Sequence, residues 1–367
     1  MRTLLPVALG VGLLAGCNFS ANEGGASIGS KGLWVANGTN VIEYNPAQLS
    51  GGTNATAPHV VIDSAAFGTP QGVAFDPAGN LWVLDPSAMV NGAATPALLE
   101  FSAAQLAALA TDDKPEPVAI ITTKFLKWPQ QAVIDVLGNA WITDHDNNTV
   151  LVYAAAQLAQ SGTNAMAPVV LMTSAAFNGP SGITFDSTGN LWISNSGPTS
   201  APAAAAPAVG TTIVEIAAAH IPALPETGTS SASLVPDVTL TDDGSKSIQA
   251  PWALAFDSAG NLWSSNSDAS STVVQFAKAS LVSGAPVPTT IISPAMVNNV
   301  PSLDAPNGVC IDDAGNLAAI NSGGAFGVAV FGPKQLVSGA PTPATFIVGE
   351  GSKLNSPAGC AFGPLLR

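Results

Sequence analysis

The sequence predicts an all-β fold: a six-bladed β-propeller of four-stranded antiparallel blades, closed by a C-terminal strand that joins the N-terminal blade. Three observations predict it. First, 47% of the 367 residues are apolar and only 9% charged, and 36 Gly and 29 Pro punctuate short β-prone runs. That pattern suits strands joined by tight turns. Second, the block Pro70-Gln-Gly-Val-Ala-Phe-Asp-Pro-Ala-Gly-Asn-Leu-Trp-Val83 recurs from Pro129, Pro180, Pro251 and Pro306. Third, Ser356-Pro-Ala-Gly-Cys-Ala-Phe362 repeats the first half of that block, the half that the N-terminal region lacks.

Each block reads as two strands and a hairpin. Val73-Ala-Phe75 and Leu81-Trp-Val83 are the strands. Asp-x-x-Gly-Asn between them is turn chemistry, with Asp76 accepting backbone N–H groups and Gly79 taking a positive φ. The block's Asp recurs at Asp135, Asp186, Asp257 and Asp312. A third strand follows each second strand: 41–44, 98–101, 150–153, 213–216, 273–276 and 328–331. A short Ala/Gln/Leu piece comes next, at Ala103, Ala155, Lys278 and Pro333. After a Ser/Gly/Pro-rich loop, a fourth strand completes each repeat: 59–62, 118–121, 169–172, 238–240, 290–292 and 345–348. Four up-and-down strands make a blade that must stack on its neighbours to bury both faces.

Five complete repeats and one split repeat give six blades. Gly32-Leu-Trp-Val-Ala-Asn37 supplies the second strand of the split blade, and the tail supplies its innermost strand. The ring then has no open sheet edge. Two insertions interrupt the regularity, 197–210 and 222–236. The first is low-complexity, and neither is expected to hold a packed core.

The N-terminus carries an address. Arg2 precedes an apolar run from Leu4 to Gly16 that is too short to span a bilayer comfortably. It ends Leu14-Ala15-Gly16-Cys17, which resembles the lipobox of bacterial lipoproteins. That resemblance implies a signal peptide over 1–16, lipidation of Cys17, and a flexible tether over 17–31 leading into one propeller domain over 32–367. The implied location is the bacterial cell envelope, at the outer membrane, cell surface or periplasm. A lipid-anchored monomer is expected.

The repeated block also resembles the NHL repeat and its relatives, over nearly all of 32–362. The chain departs from a simple repeat in its Ala/Gln/Leu insert and in having Ala318 where other blocks have Trp. Enzymatic relatives of that fold include gluconolactonase-like metal hydrolases and virginiamycin B lyase. The resemblance therefore implies the architecture and leaves the activity open.

Composition excludes one class outright. Ten Lys+Arg against 24 Asp+Glu give a net charge of −14. No nucleic-acid partner is expected, because such binding needs a basic face.

Ligands of propellers usually meet the mouth where innermost strands begin. The candidates there are Gln71, Gln130, Ser181, Trp252, Asn307 and Ala358. Amides and a hydroxyl make a poor site for a hard cation, so neither metal nor cofactor is expected. A second ring ends the second strands: Asn37, Asp85, Asp144, Asn195, Asn266 and Asn321. It reads either as Asx capping of loops or as a polar rim for a ligand. His145 lies between Asp144 and Asp146, where it could work as an acid or base or simply be a loop histidine. Trp34, Trp82, Trp141, Trp192 and Trp263 share one repeat position and read as packing between blades. Cys310 and Cys360 fall on neighbouring innermost strands, as a disulfide or as two buried thiols.

The functional reading is a non-catalytic, envelope-anchored binding or scaffold propeller presenting its mouth and rim loops to a protein, peptide or glycan. The competing reading is a metal-dependent propeller hydrolase or lyase acting at the central mouth. A third is a purely structural repeat protein with its mouth plugged by side chains.

Overall fold

The computed structural model describes residues 31–364, apart from 51, 55, 110–113, 199–210 and 325. The expected signal peptide, Cys17 and the expected tether up to residue 30 lie outside the described residues. Within them the chain forms six blades around an axis. Blade 1 is split, with Pro357–Pro364 beside Lys31–Asn37, then Asn40–Tyr44 and Val60–Ile62. Blade 2 is Gly72–Phe75, Leu81–Val90, Ala93–Phe101 and Ala119–Thr122. Blade 3 is Pro129–Ile134, Ala140–Asp144, Thr149–Tyr153 and Val170–Thr173. Blade 4 is Pro180–Phe185, Leu191–Asn195, Thr212–Ile216 and Val238–Leu240. Blade 5 is Pro251–Phe256, Leu262–Asn266, Thr272–Phe276 and Thr290–Ile292. Blade 6 is Pro306–Ile311, Leu317–Asn321, Gly327–Phe331 and Thr345–Val348.

The core is divided among the seams between blades. Side chains alternate across each strand, so Val41 packs toward blade 2 and Ile42 toward blade 6. Six apolar clusters result, one per seam. The repeat Trp sits in these seams, and three of the six first strands add an edge-on ring contact. Phe75 meets Trp34, Phe185 meets Trp141, and Phe256 meets Trp192, at centroid distances of 5.4–5.9 Å.

The first hairpin of each block is held by one carboxylate. Asp135 accepts from the backbone N–H of Leu137 and Asn139 through one oxygen, and from Asn139 Nδ2 and Trp141 Nε1 through the other. Asp76, Asp186 and Asp257 make the same set. The Asn of the turn then accepts, through Oδ1, the first N–H of the short helical piece, as Asn139 does from Ala155. The turn chemistry read from the sequence therefore also locks the indole and docks the insert.

The insert has a role that the repeat alone does not reveal. After its helical turn, the chain runs back along the outer edge of the preceding blade as a parallel strap. Gly162–Ala165 pairs with Ala119–Thr122, Ser230–Ser233 with Val170–Thr173, and Gly52–Asn54 with Thr345–Val348. Gly284 and Gly339 make single parallel bridges to Leu240 and Ile292. The excess length of the repeat thus ties neighbouring blades together at the rim.

The ring closes at blade 1. Lys31–Asn37 pairs antiparallel with Pro357–Pro364, with Leu33 opposite Phe362 and Val35 opposite Cys360. A disulfide joins Cys360 to Cys310 on the inner strand of blade 6, with Cα atoms 6.2 Å apart.

Candidate functional site

The two faces of the wheel differ. One face carries the starts of the inner strands and the ends of the second strands. The other carries the first hairpins.

On the entrance face, the ring of six Asn and Asp side chains is fully buried. Each grips the loop that leads into its own blade's inner strand. Asp85 accepts from the N–H groups of Gly68, Thr69 and Ser87. Asp144 accepts from Lys127, Trp128 and Asn147 Nδ2. Asn195 accepts from Asn178 N and donates to Ala176 O and Thr212 Oγ1. Asn266 accepts from Gln249 N and donates to Ser247 O and Thr272 Oγ1. Asn321 accepts from Asp304 N and donates to Ser302 O, and Asn37 accepts from Asn355 N and donates to Lys353 O. Burial pushes the Asp144 carboxyl up from its usual range, against the pull of its three donors. The ring is loop capping repeated six times.

The strand starts lie close to the axis. At four blades the third residue of the block is Gly, because the neighbouring inner strand's carbonyl occupies the space of a Cβ. Gly72 faces Gln130 O, Gly182 faces Trp252 O, Gly308 faces Ala358 O, and Gly359 faces Gln71 O, each within 2.8 Å of the Cβ position. Blade 3 has Gln131 there instead. Its side chain crosses the channel and donates to Asn307 O of blade 6 at 3.4 Å. Asn307 also accepts from Ser267 Oγ at 2.6 Å. Gln130 is buried and Gln71 partly so, its amide donating to Thr69 O. Polar side chains therefore bridge the channel at this level.

His145 and Trp252 are brought together. Their rings stack at 6.2 Å, with the imidazole 3% exposed. Nδ1 faces Asp146 Oδ1 and Nε2 faces the carbonyl of Gly197, both at 3.0 Å. Burial alone would raise Asp146, but His145 and Lys127 outweigh it and hold that carboxyl low. Lys127, Asp146, Asn178 and Pro198 border a polar recess of about 200 Å³ here. Among the described residues, no group of three or more His, Cys, Asp or Glu is arranged to hold a metal ion.

The channel also holds an apolar cavity at the end away from the strand starts. About 140 Å³ opens toward the hairpin face, lined by all six inner strands from the third residue of the block onward. Its wall includes the sixth residue of every block: Phe75, Ile134, Phe185, Phe256, Ile311 and Phe362. Gln131 lies at its closed end and Lys31 at its rim. The repeat itself carries this signal, since six apolar residues at one block position must form a ring.

Rim features of the entrance face also went unread in the sequence. Leu81–Val90 and Ala93–Phe101 form one long hairpin turned by Asn91-Gly92, both at positive φ. Met296–Val297 and Val300–Pro301 form a small one turned by Asn298-Asn299. Asn-Gly is a strong hairpin signal that would have found the first.

No protein-family model matches the chain, and no curated protein matches it by sequence. Among solved structures it is similar to a chain of a nidogen/laminin complex, at 13% identity and a TM-score of 0.56, covering 92% of this chain and 100% of that one. It is also similar to a protein of unknown function from Bacteroides caccae, at 11% identity and a TM-score of 0.57, covering 91% and 99%. A putative 6-phosphogluconolactonase from Bacteroides fragilis aligns at 12% identity with a TM-score of 0.49, over 89% and 84%. The first two are likenesses of fold.

Proposed function

We propose that the chain is a non-catalytic binding propeller of the bacterial envelope, anchored through a lipidated Cys17 and presenting its entrance-face rim loops to a protein, peptide or glycan. One observation carries this reading. The carboxylates and amides that a mouth-centred enzyme would use are engaged in holding loops, Asp85 by three N–H donors and Asp144 by two N–H donors and an amide. Carboxylate oxygens turned into the loops by these donors are not presented to a cation at the mouth. Beyond that ring stand projecting elements with exposed apolar tips, Met89 on the long hairpin and Met296 on the short one. Such tips suit contact with a partner surface. One fold neighbour was solved as a nidogen/laminin complex, which is compatible with a propeller serving as a binding module.

The test compares the lipidated chain with Cys17→Ala in its native envelope. Photo-cross-linking residues are placed at Met89 and Met296, and as controls at Ala78 and Ala259 on the hairpin face. The reading expects membrane association to depend on Cys17 and one discrete adduct from the two methionine positions only. Adducts that are equal from both faces, or none from the rim, would refute it.

A further inference from the structure

We infer that the funnel on the hairpin face is a binding site for a small amphiphile with one aryl or short alkyl tail and a carboxylate head. This inference concerns the face opposite the rim loops and does not depend on their role. Three observations carry it.

The first is size and lining. An apolar cavity of roughly 150 Å³ stays dry and takes up a benzene-sized guest, and this funnel measures about 140 Å³. Most of its wall is apolar, and the ring of Phe and Ile side chains supplies much of that surface.

The second is that the funnel is blind. Gln131 closes its inner end through the bond to Asn307 O. A guest must enter from the hairpin face and stop at the amide, so tail length is limited.

The third is the chemistry of the rim. Among the described residues, two charged side chains line the funnel, Lys31 and Asp135. Asp135 already accepts four hydrogen bonds. Lys31 is mostly buried and its ammonium meets the carboxylate of Asp313 at 2.9 Å. An ammonium offers three donors, and Asp313 is half-exposed on a hairpin tip. A carboxylate head can therefore join Asp313 on Lys31 or take its place. The net charge of −14 opposes anions at long range, but at physiological salt that field decays within about 8 Å.

The test uses fluorine NMR with para-fluorophenylacetate, para-fluorophenylacetamide and para-fluorotoluene as probes, at about 0.15 M salt. The acetate should bind saturably with Kd of about 1 mM or tighter, and more tightly than the amide. Lys31→Gln should weaken the acetate about three- to fivefold, the scale of one partly screened ion pair, and leave fluorotoluene unchanged. Ala132→Phe, which fills the funnel, should abolish binding of all three. Contacts from the probe ring protons to the methyls of Ile134 and Ile311 need no variant and should appear in the wild type. Absence of saturable binding, or binding without those methyl contacts, would overturn the inference. So would a Lys31→Gln protein that keeps the full preference for acetate over amide.

Discussion

Four blades set a Glu or Gln across from the repeat tryptophan: Glu43 opposite Trp34, Glu100 opposite Trp82, Glu215 opposite Trp192 and Gln275 opposite Trp263. In blade 5 the amide of Gln275 donates to Asp257, the carboxylate that also holds Trp263. Glu215 occupies the same place beside Asp186 but ionises. Burial, and then the charges of Asp186 and Asp237, push its carboxyl up from 4.5 to about 7. A carboxyl raised on folding keeps its proton in the native state while the unfolded chain has lost it. The contribution of Glu215 to stability therefore falls as pH rises from about 4.5 to about 7 and is level beyond. Glu215→Gln should abolish that slope. Urea unfolding should find it about 2–3 kcal/mol more stable than wild type at alkaline pH and equal to it at acid pH. Equal pH slopes in the two proteins would show that Glu215 is not the group responsible. Blade 1 is the exception that explains itself. Gly363 stands where other blocks have Asp, because the ring of Phe75 fills the position of a Cβ there. Trp34 Nε1 is left without a partner as a result. The sequence shows the missing Asp but not the aromatic ring that excludes it.

Among the elements, strands and first hairpins were legible because they repeat with fixed turn chemistry. The straps were less so. Their residues are polar and small, with no alternation of apolar side chains to mark a strand. A weak signal exists in retrospect: Gly-Thr-Asn recurs at 52–54 and 162–164, and Ser-Gly-Ala-Pro at 283–286 and 338–341. What these share is a Gly that turns the chain against the preceding blade, at positive φ in all four. The straps cover outer strands that would otherwise offer open edges. In the strap of blade 3, Gly162 donates to Val118 O and Met166 to Thr122 O, so Asn164 between them holds the intervening ladder position. Asn164→Pro removes that donor from an edge strand. The expected cost is about 1–3 kcal/mol, with amide exchange accelerated in Ala119–Thr122 and unchanged in the inner strands. Loss of protection across all of blade 2 would mean that the strap nucleates the blade rather than covering it.

At the scale of the whole molecule, closure rests on one ladder and one disulfide in the same place. Lys31–Asn37 holds Pro357–Pro364, and Cys360 is tied to Cys310 in the adjoining blade. Closure was readable from the sequence because the tail repeats half a block. The blind funnel was not, because it depends on which inner-strand residues line the axis and on Gln131 reaching across it. If the ring is a set of equivalent blades, the position of the chain break should be interchangeable. Lys31 lies opposite Pro364, so a copied Asp-x-x-Gly-Asn turn can join them and give blade 1 the continuous hairpin of its neighbours. New termini can then be opened at Asn91-Gly92, the exposed tip of the long hairpin in blade 2. Every ladder and all six seams survive that rearrangement. The permutant should therefore fold with near-UV circular dichroism like the parent and a Tm within about 5 °C of it. Deleting 357–364 instead removes the inner strand of blade 1 and the disulfide together. It bares the edge of Lys31–Asn37 and the apolar seam with blade 6, so that chain should aggregate. A soluble, cooperatively unfolding truncation, or a permutant without fixed tertiary structure, would show that the break at blade 1 is built into the fold rather than incidental to it.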